Sequence, residues 1–229
     1  MMTESTSAAG AKTLDNGIRV LKAVAAHPRG LGVTEIAREV GVHRTVAYRL
    51  LGTLARHALV AQDQDGRYRL GLGVVELSMS LRSDLRSVAQ PHLRDLAEAT
   101  GATAHLTIPD GDDVVSIAVT EPANAGVHVA YQVGFRHPSA VGAAGLAILL
   151  GRPEQPEERP EVTVGRGRGF AASAGELQSG AWGLAAPVTG GDGVAVASVG
   201  VVALGPLDET ATAPLVLRAA AAIRAGFPG

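Results

Sequence analysis

Apolar residues recur along the first third of this chain at helical spacing. Leu14, Ile18, Leu21, Val24 and Ala25 predict a helix over 14–26, ended by His27-Pro28-Arg29-Gly30. Thr34 suits the N-cap of a short second helix that turns Ile36, Ala37 and Val40 inward, and Gly41 breaks it. A third helix is predicted from about His43 to His57, with Val46, Leu50 and Leu54 on one stripe. Leu59-Val60-Ala61 and Arg67-Tyr68-Arg69-Leu70 then flank Asp65-Gly66, a hairpin signal. Alternation along that hairpin puts Arg67 and Arg69 on one face and turns Tyr68 and Leu70 inward. Residues 71–86 read as a linker helix with Leu72, Val75 and Met79 on a shared face. The helix after it carries Pro91 in its first turns and ends at Gly101.

Beyond residue 101 the pattern becomes that of strands. Thr103–Ile108 and Val114–Val119 flank Asp110-Gly111, and Val127–Val133, Leu184–Val188 and Val194–Leu204 are also strand-like. Ala140–Leu150 reads as a helix of small residues, 151–169 as a loop rich in Pro, Glu, Arg and Gly, and 208–226 as a closing helix. Helices on one antiparallel sheet make an α+β domain, and no internal repeat is visible. The expected organisation is a disordered tail over 1–12, a mainly α domain with a β-hairpin over 13–71, the linker helix over 72–87, and the α+β domain over 88–229.

Composition narrows the chemistry. The 229 residues contain no cysteine, which excludes disulfides, thiol catalysis and thiolate metal sites and fits a reducing, cytoplasmic setting. No apolar run approaches the roughly 18 residues of a membrane span, so no membrane partner is expected. The opening MMTESTSAAGAK lacks the basic-then-apolar order of a signal peptide. Residues 1–70 carry ten Lys and Arg against six Asp and Glu, while 71–229 carry ten against sixteen. The cationic surface that phosphates would meet is therefore in the N-terminal domain.

Short helix, glycine turn, helix and hairpin make a winged helix-turn-helix. Gly41 lets the chain reverse, Ala37 is small where two helices approach, and Val42, Val46 and Leu50 are expected to pin the recognition helix to the core. The opposite face then carries His43, Arg44, Thr45, Tyr48 and Arg49, with Thr34 at the start of the support helix, all able to reach phosphates or base edges. An ordinary three-helix bundle with a solvated polar face competes with this reading. Arg67 and Arg69 on a hairpin directly after the helices favour double-stranded operator DNA as the partner. The first helix and the linker helix carry more apolar surface than one small core needs, which points to a homodimer on a near-palindromic site.

Four stretches, in order, resemble the IclR-type transcriptional regulators. The first is IRVLKAVAAHPRGLGVTEIAREVGVHRTVAYRLLGTLARHALV, followed by DGRYRLGLGVVEL. The others are SVAQPHLRDLAEATGATAHLTIPDGDDVVSIAVTE, GFRHPSAVGAAGLAILL and RGFAASAGELQSGAWGLAAPV. The resemblance implies a dimeric operator-binding regulator whose C-terminal domain is GAF-like and binds a small-molecule effector, with pairing of dimers through those domains. The positions matching the family's effector pocket are Gly126, Val129, His137, Ala143, Ala144, Ser173, Ala181, Gly183, Gly200 and Val202.

Ser173 stands where many relatives have an acid, and Gly183 where many have Cys. A set of such small or apolar residues suggests a widened pocket. It would take a largely apolar, ring-containing ligand, or none, in preference to a two- or three-carbon acid. The alternative is a regulator without an effector, whose C-terminal domain serves only oligomerisation.

Trp182 suits a core anchor or a pocket wall, with the core preferred. Arg166 and Arg168, in a Gly-rich loop, are expected to face solvent. His105, His128 and His137 show no convergent spacing, so no metal is expected. With no G-x-S-x-G elbow and no Gly-rich phosphate loop ending in Lys, neither an enzyme nor a cofactor is expected.

Overall fold

The computed structural model describes residues 11–79, 83–123 and 131–227. The chain divides at residue 81 into two compact units.

In the first unit, α1 (Lys12–Ala25), α2 (Val33–Val40) and α3 (Arg44–Arg56) enclose a core of Val20, Val24, Ile36, Leu51 and Tyr68. Gly41 ends α2 at φ 74°, as the sequence requires. Val42 N–H donates to the Ala37 carbonyl at 3.0 Å and Gly41 N–H to that of Arg38 at 3.3 Å. Arg19 Nη2 donates to the Val40 carbonyl at 2.7 Å, so α1 holds the end of α2.

The start of α2 corrects the sequence reading. Gly32, not Thr34, is the N-cap, because Glu35 three residues on accepts from Gly32 N–H at 2.7 Å. The stripe on α3 is corrected as well. Ala47, Leu50 and Leu51 are its buried residues, whereas Val46 is 40% exposed.

Strands β1 (Val60–Gln62) and β2 (Tyr68–Leu70) form the hairpin, with Ala61 opposite Arg69. Residues 63–67 connect the strands, with Asp65-Gly66 at the tip. Asp63 Oδ1 accepts from Asp65 N–H and Arg67 N–H, and Gly66 takes φ 75°. Tyr68 is buried as expected, and its N–H and carbonyl pair with Leu31. Leu70, expected inside, is 41% exposed.

The expected linker helix and the helix after it both form, but with other bounds, since the second already runs from Ser83. Helix α4 (Gly73–Met79) leaves Leu72, Val75 and Leu77 exposed. Helix α5 (Ser83–Thr100) starts with Asp84 in its first turn, where a carboxylate favours a helix amino end, and runs through Pro91. Residues 80–82 and the Met79 side chain lie outside the described residues, as does most of the expected tail.

The second unit is a six-stranded antiparallel sheet in the order β5-β4-β3-β8-β7-β6. Its strands are β3 (Thr103–Asp110), β4 (Asp113–Thr120), β5 (Arg136–Pro138), β6 (Ala171–Ala174), β7 (Ala181–Thr189) and β8 (Ala195–Leu204). The expected strand over Val127–Val133 falls mostly on residues 124–130, outside the described ones, and Tyr131–Val133 are not in a strand.

Helices cover both faces of the sheet. Leu106, Leu184, Val199 and Val201 pack with residues of α5 and α8 (Glu209–Gly226) on one side. Ala185 packs with Leu146 and Ala147 of α6 (Gly142–Leu150) on the other. A strand covered on both faces loses the apolar–polar alternation, which explains the near-continuous apolar run through β7 and β8.

The stretch 151–169 is not all loop, because α7 (Pro160–Arg168) forms within it. Pro160 pre-sets the first turn, Val162 is fully buried, and Gly169 closes the helix at φ 77°. Arg166 is not solvent-facing. Its guanidinium donates to the carbonyls of Leu149, Leu150 and Arg152 and to Glu158, closing the carboxyl end of α6. Arg168 pairs with Glu209 and lies over the Phe170 ring at 4.1 Å.

Gly200 lies where β8 passes between His105 of β3 and Ala185 of β7. A Cβ there would stand 2.5 Å from the Leu184 carbonyl oxygen and 2.6 Å from Ala185 Cβ. Gly200→Ala should therefore destabilise this unit by about 1–3 kcal/mol. Urea unfolding followed by the fluorescence of Trp182, the single tryptophan, measures this; an unchanged midpoint would show that the strand has room.

Candidate DNA-reading face and ligand cavity

The residues of α3 that do not reach the core form a polar face. At about 3.6 residues per turn, Thr45, Arg49, Gly52 and Arg56 fall opposite Ala47 and Leu51. All four are exposed, and Arg44 and Tyr48 flank them, the tyrosine 64% exposed. Among the described residues, Arg44, Arg49 and Arg56 make no side-chain ion pair or hydrogen bond. His43 is the N-cap. Its Nδ1 accepts from Thr45 N–H at 3.3 Å, which leaves Nε2 available. Thr34 is exposed in the first turn of α2. Arg56 was not singled out from the sequence, although it stands seven residues beyond Arg49, on the same side. Val46 belongs to the edge of this face, not to the core.

The two hairpin arginines differ in what they touch. Arg67 donates through Nε and Nη2 to the Gly30 carbonyl at 3.1 and 2.9 Å, and through Nη2 to Glu35 at 3.1 Å. Arg69 is more exposed and pairs with Asp63 at 3.2 Å. Gly30, at φ 78°, lets the hairpin lie close; a Cβ there would be 3.0 Å from Arg69 Cγ and 3.1 Å from the Tyr68 carbonyl oxygen. Gly32 N–H and then the Arg67 charge hold the Glu35 carboxyl below the usual glutamate value. Its charge thus ties the hairpin to the start of α2 above the ordinary glutamate range, and the tie is lost as pH falls through the lowered value.

The positions matched to an effector pocket divide in the second unit. Ala143, Ala144, Ser173, Ala181, Gly183 and Val202 do line one cavity. Gly126 and Val129 lie outside the described residues. Gly200 does not line the cavity, because it is packed against β7. His137 is buried beside it, with Nε2 3.5 Å from Tyr131 Oη. The cavity measures about 30 Å³, room for about one water, so the expectation of a wide pocket is corrected. The physical reason is the close approach of α6: a Cβ on Gly183 would already be 3.2 Å from Ala143 Cβ.

The walls are also more polar than small residues suggested. His105, Tyr131 and Glu176 line the cavity, with Trp182 and Leu177, so Trp182 is a partly exposed wall and not a core anchor. Burial, then the nearby His137, pushes His105 down to about 3, so its imidazole is neutral. Burial pushes the Tyr131 phenol up to about 12. Rings of His105, Tyr131, Phe135 and His137 follow one another with centroids 4.8, 5.0 and 5.7 Å apart.

The amino end of α6 is already occupied. Ser173 Oγ accepts from Ala143 N–H at 2.8 Å, and Glu176 Oε2 accepts from Gly142 N–H at 2.7 Å. Arg159 pairs with Glu176 at 2.8 Å and donates to the Ala140 carbonyl at 2.6 Å. Arg159 first, and then Gly142 N–H, hold the Glu176 carboxyl below the usual range, so it stays ionised at neutral pH. Among the described residues, no group of His, Asp and Glu could hold a metal ion, and no helix is long and apolar enough to cross a membrane. His128 is outside the described set.

Arg67→Ala should loosen the hairpin without unfolding the unit. The amide protons of Leu31 and Tyr68, which pair across it, should exchange faster by up to about tenfold, the worth of one charge-assisted hydrogen bond at a half-exposed site. Unchanged exchange at both amides would mean that Arg67 does not hold the hairpin in place.

The family model described as the IclR helix-turn-helix domain matches residues 13–64, and the bacterial transcriptional regulator IclR C-terminal model matches 78–163. The chain is 29% identical over 151 residues to the HTH-type transcriptional regulator TtgV of Pseudomonas putida. That alignment covers 65% of this chain and 57% of TtgV, so this chain spans little more than half the length of that relative. An IclR transcriptional regulator from Alicyclobacillus acidocaldarius superposes with a TM-score of 0.78 at 27% identity, covering 96% of this chain and all of that one. An IclR homologue from Microbacterium hydrocarbonoxydans, complexed with 4-hydroxybenzoate, shares the fold with a TM-score of 0.79 at 21% identity, over 93% of this chain and 98% of that one.

Proposed function

Because this chain belongs to the IclR family, we propose that it is a sequence-specific DNA-binding transcriptional regulator, acting in the cytoplasm and controlled by a small molecule bound in its second unit. The observation that carries this reading is the outer face of α3. There Thr45, Tyr48, Arg49 and Arg56 are exposed together and the guanidinium groups have no partner within the described chain. Exposed cations with no carboxylate to satisfy them, on a helix that follows a tight glycine turn, are suited to the phosphates and base edges of a major groove. Arg69 suits a phosphate at the wing, and Arg67 holds the wing in position.

The regulator acts as a homodimer on two half-sites. Leu14 and Ile18 of α1 are exposed, as are Leu72, Val75 and Leu77 at α4, and a second copy of the chain would cover them. Pairing of dimers through the second unit follows from the family alone. A ligand for that unit is supported by its cavity and by the relative of the same fold that carries 4-hydroxybenzoate. The small volume of the cavity favours a second reading, in which the unit serves only assembly.

Arg49→Ala should weaken operator binding. A contact to guanine would cost about 1–3 kcal/mol of discrimination at one base pair, and a phosphate contact would cost affinity evenly across sequences. Arg69→Ala should lower the salt dependence of binding by at most about one phosphate contact. Gel shifts across a salt series measure both, and unaltered affinity and slope in the two variants would remove these residues from the interface. Replacing Leu72 and Val75 together with Glu should give a monomer by light scattering at micromolar concentration; a persisting dimer would place the interface elsewhere.

A further inference from the structure

We infer that Glu176 and Leu177 decide which ligands the second unit accepts. Glu176 keeps anionic ligands from the amino end of α6, and Leu177 fills the volume that a ring would need. The site thereby turns away acids and holds ring-sized ligands loosely, and what it admits is an uncharged, hydrogen-bonding aromatic of the phenol class. This rests on the reading of the unit as a ligand sensor.

A carboxylate entering this cavity would need N–H donors and a cation, and both are taken. Gly142 N–H donates to Glu176 and Ala143 N–H to Ser173. The Arg159 guanidinium is spent on Glu176, on Glu161 at 3.1 Å and on the Ala140 carbonyl. An acidic ligand would meet the Glu176 carboxylate with, among the described residues, no free cation beside it, because Arg159 already pairs with Glu176. A hydroxyl meets the opposite situation. A carboxylate has about four acceptor sites, and Glu176 can take one more donor, while the aromatic residues Tyr131, His105 and Trp182 line the cavity.

Volume is the second filter. A cavity that accepts benzene is on the order of 150 Å³, well above the roughly 30 Å³ present. Leu177 lies on the turn between β6 and β7, 40% exposed, with its Cδ1 2.6 Å from where a Cβ on Gly142 would stand. It covers the amino end of α6 from a rim position, so it can leave without opening the core. The turn begins and ends at Gly175 and Gly180, both at positive φ.

Calorimetry on the full chain with phenol and benzoate, the same ring without and with charge, tests this. Wild type should bind phenol weakly and benzoate not measurably. Leu177→Ala should bind phenol at least about tenfold tighter and still reject benzoate. Glu176→Gln, whose amide oxygen can still accept from Gly142 N–H, should bind benzoate about as weakly as wild type binds phenol, and more tightly once Leu177→Ala is added. Trp182 fluorescence on heating checks that each variant is folded.

Benzoate bound as tightly as phenol by wild type or Leu177→Ala would overturn the charge filter, even if Glu176→Gln fails to fold. A folded Glu176→Gln that still rejects benzoate would overturn it too. No gain of phenol binding in Leu177→Ala would overturn the volume filter. If no folded variant binds either probe, the sensor reading itself fails with this one, and a gel shift on operator DNA shows whether the regulator reading survives it.

Discussion

The distance between α6 and the sheet is the constraint on which the second unit depends. The helix sits so low that a Cβ on Gly183 would stand only 3.2 Å from Ala143 Cβ, and Ser198 Oγ reaches the Ala144 carbonyl at 2.9 Å. Only small residues on both surfaces allow this, which is why α6 reads GAAGLAILL and β7 opens AWGLAA. Once the helix is that close, its two ends fall near fixed neighbours. Ser173 and Glu176 take the first N–H groups, and Arg166 takes the last carbonyls. Backbone groups that would otherwise be buried without partners are satisfied at both ends. The cavity is what remains beside the helix after this packing.

The first unit uses its cations in two ways. Arg19 and Arg67 donate to the backbone carbonyls of Val40 and Gly30, and those bonds fix where α2 ends and where the hairpin lies. Among the described residues, Arg44, Arg49 and Arg56 make no such bonds. The division is physical. A guanidinium that closes a carbonyl sets geometry, while one left in water keeps its charge for a ligand. Counting arginines in the sequence does not separate the two groups, because Arg67 and Arg69 look equivalent there.

Much of the fold was legible because the helices are amphipathic and the turns are marked by glycine. Helices α1, α2 and α3, the hairpin, the β3–β4 pair and α8 all follow from periodicity and turn residues. Val46 was misplaced because a step of four residues overshoots a helical turn, so a stripe through Val46, Leu50 and Leu54 begins off the core and ends in it. Helix α7 was hidden by its composition, in which only Pro160 and the buried Val162 signal a helix.

The cavity was the least legible part. Small side chains at Ala143 and Gly183 suggested empty space, whereas a helix fills it. Glu176 carries a charge into that site from a turn, and nothing in the spacing around it shows that it folds back onto α6.

On the proposed reading, the acidic loop of the hairpin bears on how such a protein searches a genome. Asp63 already holds Arg69, and Asp65 stands at the tip. When the wing meets a phosphate, Arg69 exchanges one anion for another, and the net gain in charge neutralisation is small. Attraction to arbitrary duplex is kept low, so encounters with wrong sequences are brief. Residence then depends on the fit of α3 in the groove, and less of the protein is held idle on the excess of sites that are not operators.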